Sequence, residues 1–111
     1  MASIRCIFVA EILMQAEAPC PFHSHHCTEL VYYAEGSGTL LQNDARHPYR
    51  PGQLAVSPPN VPHSDIPDQN GRQICVGISG CHSENLRPNV WDSPPAGIGS
   101  TFDQLLTELK S

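Results

Sequence analysis

The run His23-Ser24-His25-His26-Cys27-Thr28-Glu29-Leu30-Val31-Tyr32-Tyr33-Ala34 decides how this chain folds. Its second half, TELVYYA over 28–34, is dense in β-branched and aromatic residues and predicts a strand. Side chains alternate across a strand, so positions 23, 25, 27 and 29 share one face if the strand reaches back to His23. Two imidazoles and a carboxylate then stand together along that face. Inside a core this is costly, because a buried ionised carboxylate needs a partner. A divalent cation provides one, and imidazole nitrogen with carboxylate oxygen suits Fe, Mn, Co, Ni or Zn.

The flanking sequence is punctuated for strands. Glu35-Gly-Ser-Gly38 supplies glycines for a turn with positive φ, predicting a hairpin from 28–34 to a return strand at 39–42. Asn43-Asp44 is the next turn, 47–50 another short strand, and Pro51-Gly52 a tight turn. Residues 53–57 form a strand that stops at Pro58-Pro59, 60–63 bends, and ICVGI over 74–78 is a compact buried strand. The apolar run 4–13 gives one or two strands before the break at 18–21. About seven short strands at this spacing predict an all-β sandwich or barrel. The tail differs: Phe102, Leu105, Leu106 and Leu109 recur at i, i+3, i+4 and i+7, an amphipathic helical stripe. Thr101 and Gln104 make a capping-box pair at its start, and 86–99 reads as ordered loop. The expected organisation is one domain, with a barrel and its following loop over 1–99 and a C-terminal helix over 100–111.

Composition narrows the function classes. With 111 residues there is room for one domain, and 40% hydrophobic against 15% charged residues excludes wholesale disorder. Six Lys and Arg against eleven Asp and Glu give a formal charge of −5 with no basic run, a poor match to a phosphate backbone. The apolar run 4–14 is interrupted by Arg5 and Glu11 and is too short to span a bilayer. Five cysteines, an odd number without a CxxC pair, predict free thiols in a reducing cytoplasm, since no secretory leader precedes them.

The spacing His23-x-His25-xxx-Glu29-xxxxxx-Gly36 resembles the first conserved motif of the cupin superfamily. The run Gly52-xxxxx-Pro58-x-Asn60-xx-His63-xxx-Pro67 resembles the second, matching at Gly, Pro and His. Asn60 stands where the motif has a second glycine, Pro67 where it ends in Asn, and Glu17 where the first motif begins with Gly. These departures touch backbone turns, and Asn tolerates left-handed geometry. The resemblance implies a double-stranded β-helix, or jelly-roll barrel, in which His23, His25, Glu29 and His63 hold a divalent transition metal (Zn, Ni, Fe, Mn or Co). Three His and one Glu leave open positions on an octahedral ion, as a catalytic or sensing site requires. By parity Cys27 joins the ligands, as a small buried hydrophobe or as a soft extra donor. His26 faces the other way, to the surface.

Residues 23–64 are also similar to the N-terminal effector-binding domain of AraC-type transcriptional regulators. That pattern runs His-x-His, Glu-Leu/Ile-hydrophobic-Tyr, Gly-x-Gly, then Tyr-x-hydrophobic-x-x-Gly-Asp and Pro-x-x-hydrophobic-x-His, with Gln53 standing here for the usual Asp. The resemblance implies a small-molecule effector contacted by Cys27, Val31 and Tyr33, and a homodimer to which the tail helix contributes. It also implies a pair of helix-turn-helix units following the barrel. None lies within these residues, so direct nucleic-acid contact by this stretch is not expected. The sequence closes at Leu109-Lys-Ser in mid-pattern, as an excised domain would, or as a short cupin with a C-terminal helix would. The competing expectation is a stand-alone metal-dependent cupin enzyme of dioxygenase, isomerase or decarboxylase type. Such an enzyme needs an acid–base group beside the metal, and the motifs place only Tyr33 there.

Overall fold

The computed structural model describes residues 5–18, 21–42, 44–80, 89–91 and 93–110. Cys20, Cys81 and His82 lie outside these, as does part of the expected 86–99 loop. The described chain forms eight strands and a helix: β1 (Arg5–Met14), β2 (Thr28–Glu35), β3 (Gly38–Gln42), β4 (Ala45–Tyr49), β5 (Leu54–Ser57), β6 (His63–Pro67), β7 (Gly71–Ser79), β8 (Asn89–Trp91) and α1 (Ile98–Lys110). The strands pair into two antiparallel sheets, one ordered β1-β7-β2-β5-β8 and the other β4-β3-β6. The architecture is the cupin jelly roll that the motifs imply.

Most strands fall where the pattern puts them, but the expected hairpin between 28–34 and 39–42 does not form. β2 pairs with β5 and β7, whereas β3 pairs with β4 and β6. The chain changes sheets at Gly36, whose φ of 86° no β-branched residue would adopt and whose added Cβ would meet the backbone of Gly71 at 2.8 Å. The true hairpin is β3–β4, closed at Gln42↔Ala45. Two strands went unexpected. β6 occupies the stretch after the 60–63 bend, and β8 adds a short edge at 89–91 beside β5.

Two apolar clusters lie on opposite faces of the larger sheet. Val31, Tyr33, Ala55 and Cys75 meet Leu40 and Tyr49 of the smaller sheet, with Tyr33 and Tyr49 stacked at 3.9 Å. On the outer face Leu54, Ile74 and Val76 are covered by Phe102 and Leu106 of α1. Residues of β5 and β7 are therefore buried on both faces, which is why 74–78 shows an apolar run without alternation. The helix begins three residues earlier than its capping pair suggests. Thr101 sits inside it and bonds back to the Gly97 carbonyl at 3.2 Å, so it is not the cap.

Candidate metal centre and cavity

The expected ligands converge, by a route different from strand alternation. β2 begins at Thr28, and residues 24–27 are irregular. His23 is placed by an isolated antiparallel bridge to His63, with reciprocal backbone hydrogen bonds of 3.1 and 2.9 Å. The Asn60 amide donates to the His25 carbonyl at 2.7 Å, tying the bend before β6 to the same segment. Asn60 holds φ at 64° and Glu17 at 61°, both left-handed. The two motif glycines that this sequence lacks are thus replaced by residues that adopt the glycine conformation anyway.

Glu29 comes from β2, buried between Ser57 and Gly77. Its Oε1 lies 3.1 Å from His63 Nε2 and its Oε2 3.0 Å from His25 Nε2. The His23 and His63 rings are 4.3 Å apart between centroids, His23 and His25 5.1 Å. One donor atom from each of His23, His25, Glu29 and His63 lies within 4.8 Å of every other.

The outer nitrogens fix the chemistry. His23 Nδ1 lies 2.9 Å from the Pro21 carbonyl, and His63 Nδ1 3.0 Å from that of Val61. A carbonyl only accepts, so each Nδ1 carries a proton, and loss of a proton from Nε2 would free that nitrogen to bind an ion inward, the arrangement typical of metal-ligating histidine. Burial, the largest single influence on His63, lowers its pKa, yet the bonds to Glu29 and Val61 and the Glu29 and Asp65 charges together raise it. Three inward imidazole nitrogens and a buried carboxylate fit a divalent transition metal, which would act as a Lewis acid toward a bound oxygen.

The cluster opens onto a cavity of about 240 Å³. Phe8, Ala10 and Ile12 of β1 form its apolar wall, and Asp65, Gln73 and Cys75 line the rest beside the four clustered residues. His23 is exposed and His25 partly so, which puts the mouth at their side and His63 and Glu29 inside.

Asp65 is the residue that motif reasoning missed. It follows His63 by two on β6 and therefore faces inward too, a signal that required recognising 63–67 as a strand. Its Oδ1 accepts from the Tyr33 hydroxyl at 3.1 Å and its Oδ2 from the Gln73 amide at 2.8 Å. Burial raises its pKa against those two bonds. Tyr33, fully buried, titrates well above 10, first because of burial and then because of the Asp65 charge. Val31 and Tyr33 face inward as expected, but neither lines the cavity; Tyr33 acts on it through Asp65. Cys27 does not join the ligands. The bend at 26–27 breaks the alternation, and Cys27 lines two neighbouring pockets, one with His26 and Ser79 and one that also includes Phe8 and His25. Among the described residues the cysteine that lines the cavity is Cys75. His26 is exposed, as expected, 3.1 Å from Asn60 Oδ1.

Known proteins agree with this architecture. The chain is 28% identical over 88 residues to an L-ectoine synthase of Mycolicibacterium gilvum, covering 78% of this chain and 68% of that protein. It is 32% identical over 68 residues to an L-ectoine synthase of Mycolicibacterium vanbaalenii, covering 60% of this chain but only about half, 52%, of that one. Among solved structures an RmlC-like cupin from Shewanella frigidimarina superposes with a TM-score of 0.61 at 16% identity, over 75% of this chain and 79% of that one. Residues 8–94 match the family described as AraC-like ligand binding domain. With both sheets, both motif turns and most of its length accounted for in this way, the chain belongs to the AraC-like ligand binding domains of the cupin superfamily.

Proposed function

We propose that this domain senses a small polar molecule, binding it at a divalent metal held by His23, His25, Glu29 and His63, as the effector-binding part of an AraC-type regulator. The observation that carries the reading is the convergence of four donor atoms within 4.8 Å at the edge of a 240 Å³ cavity. The cavity is smaller than the roughly 300–1,000 Å³ of drug-sized sites, so the effector is a small metabolite. Such a regulator works in the cytoplasm as a homodimer. Among the described residues no helix is long and apolar enough to cross a membrane. Because Phe102, Leu105 and Leu106 of the α1 stripe already pack on their own barrel, dimer contacts would use other surface together with Leu109, the one stripe residue left exposed. Elemental analysis after purification without nickel resin tests the metal. Wild type is expected to carry close to one transition metal per chain and His25→Ala much less; equal content in both rejects the site.

A metal-dependent cupin enzyme is the second reading. Asp65 favours it by supplying the second carboxylate that such chemistry needs, and the likeness to proteins named L-ectoine synthase is compatible with it. The reading frame downstream of Ser111 separates the two. A helix-turn-helix segment there supports the sensor, and a stop codon supports the enzyme.

A further inference from the structure

A divalent ion held by His23, His25, Glu29 and His63 would polarise the cavity along its depth, because Glu29 is the single carboxylate among those four and would leave net positive charge at that end. Deeper lies Asp65, two residues along β6 from His63 on the same face, about 7 Å away by strand geometry. Both Asp65 oxygens accept bonds from neutral donors, the Tyr33 hydroxyl and the Gln73 amide. Among the described residues lining the cavity there is no Lys or Arg to pair with it. The wall between the two ends is Phe8, Ala10 and Ile12, which offer no polar side-chain group. With His63 taken up as a neutral metal ligand, the Asp65 carboxylate is left with neutral hydrogen-bond donors, and it is best completed by a cation that arrives with the ligand.

We infer that the cavity takes a short zwitterion, its anionic oxygen at the metal end and its ammonium group on Asp65. This rests on the metal reading above and adds the ligand class to it. An oxygen bound at the mouth and an ammonium hydrogen-bonded to Asp65 leave room for a skeleton of two or three carbons, consistent with the cavity's size. A neutral polyol would leave the Asp65 charge unpaired, and a dianion would place like charge against it.

The test compares two probes differing only in the ammonium group, β-alanine and propionate. The full chain is loaded with Co²⁺, its metal content measured, and each probe titrated while the visible Co²⁺ spectrum is followed. Wild type is expected to bind β-alanine about tenfold more tightly than propionate, the difference of one charge-assisted contact. Asp65→Asn is expected to keep its cobalt and its propionate affinity while losing that preference; Asp65→Ser serves the same comparison should the amide variant not fold. Equal affinities in wild type, or a preference that survives at Asp65→Asn, overturn the zwitterion while leaving the metal site standing. Failure of wild type to hold cobalt near one per chain overturns the metal reading and this inference with it.

Discussion

Tyr33 shows how one side chain can serve stability and site together. Its ring stacks on Tyr49 between the sheets, while its hydroxyl donates to the carboxylate at the cavity base. Burial and the Asp65 charge raise its pKa well above 10, so the folded state prefers the neutral phenol. That contribution is complete below pH 10 and is lost as pH rises through the folded pKa, because the unfolded phenol ionises first. Tyr33→Phe removes the bond to a buried acceptor and is expected to cost about 1–3 kcal/mol near pH 8. The penalty should shrink above pH 10, as wild type loses stability that the variant never had. Urea unfolding of both proteins from pH 8 to 11 measures it, and a difference constant with pH contradicts this assignment. At this scale the sequence revealed most of the site. The clustering of His23, His25, Glu29 and His63 was legible because motif spacing carries information about which side chains converge. Cys27 was misassigned because parity assumes an unbroken strand, and the chain bends at 26–27 so that 23–25 can pair with 60–63. Asp65 was hidden behind a strand that the nearby prolines obscured.

Among the elements, α1 and β7 explain why the site and the helix are energetically separate. β7 presents Gln73 and Cys75 to the cavity and Ile74 and Val76 to the helix, so one strand serves two cores on alternate residues. Phe102 anchors the helical side, 3% exposed and tilted against Tyr32 at 5.7 Å. Phe102→Ala is expected to lower stability by about 3 kcal/mol through lost burial and a cavity under the helix. Metal content per folded chain should not change, because the helix covers the face opposite the ligands. Denaturant melts beside elemental analysis check both halves, and metal loss from a folded variant breaks the separation of faces. The stripe at 102, 105, 106 and 109 was readable because helical periodicity is local. The 28–34 to 39–42 hairpin was not, since a Gly-x-Gly turn looks the same whether its strands pair with each other or part into two sheets. Only long-range pairing with β5, β6 and β7 decides that. Across these elements Arg72 clips β1, β2 and α1 through Glu11, Glu35 and Asp103, at 3.1, 3.4 and 3.4 Å. Being partly exposed pairs, they contribute little each.

For the whole molecule, the four clustered residues come from different parts of the fold. Glu29 stands on β2 of the five-stranded sheet and His63 on β6 of the three-stranded one, with His23 and His25 on the segment between β1 and β2. An ion bound to all four would tie the sheets together at this end of the barrel, where the Glu29–His63 contact at 3.1 Å and the bonds from Gln42 Nε2 to the Val56 carbonyl and Ser57 Oγ already join them. The tie exists only in the folded chain, since unfolding scatters ligands forty positions apart in sequence, from His23 to His63. Binding therefore converts into stability, about 2.7 kcal/mol when free metal is a hundredfold above its dissociation constant. In a domain of this size that raises the melting temperature by roughly 10 °C or more. Thermal melts of chelator-treated protein with and without added Zn²⁺, Ni²⁺, Co²⁺ or Mn²⁺ measure the shift, and its rank order reports which ion the site prefers. Glu29→Gln, which keeps the side-chain shape but removes the charge, is expected to abolish most of it. A wild type that no divalent ion stabilises, or a variant stabilised equally, would leave the four residues as a hydrogen-bonded cluster closing the barrel without a metal.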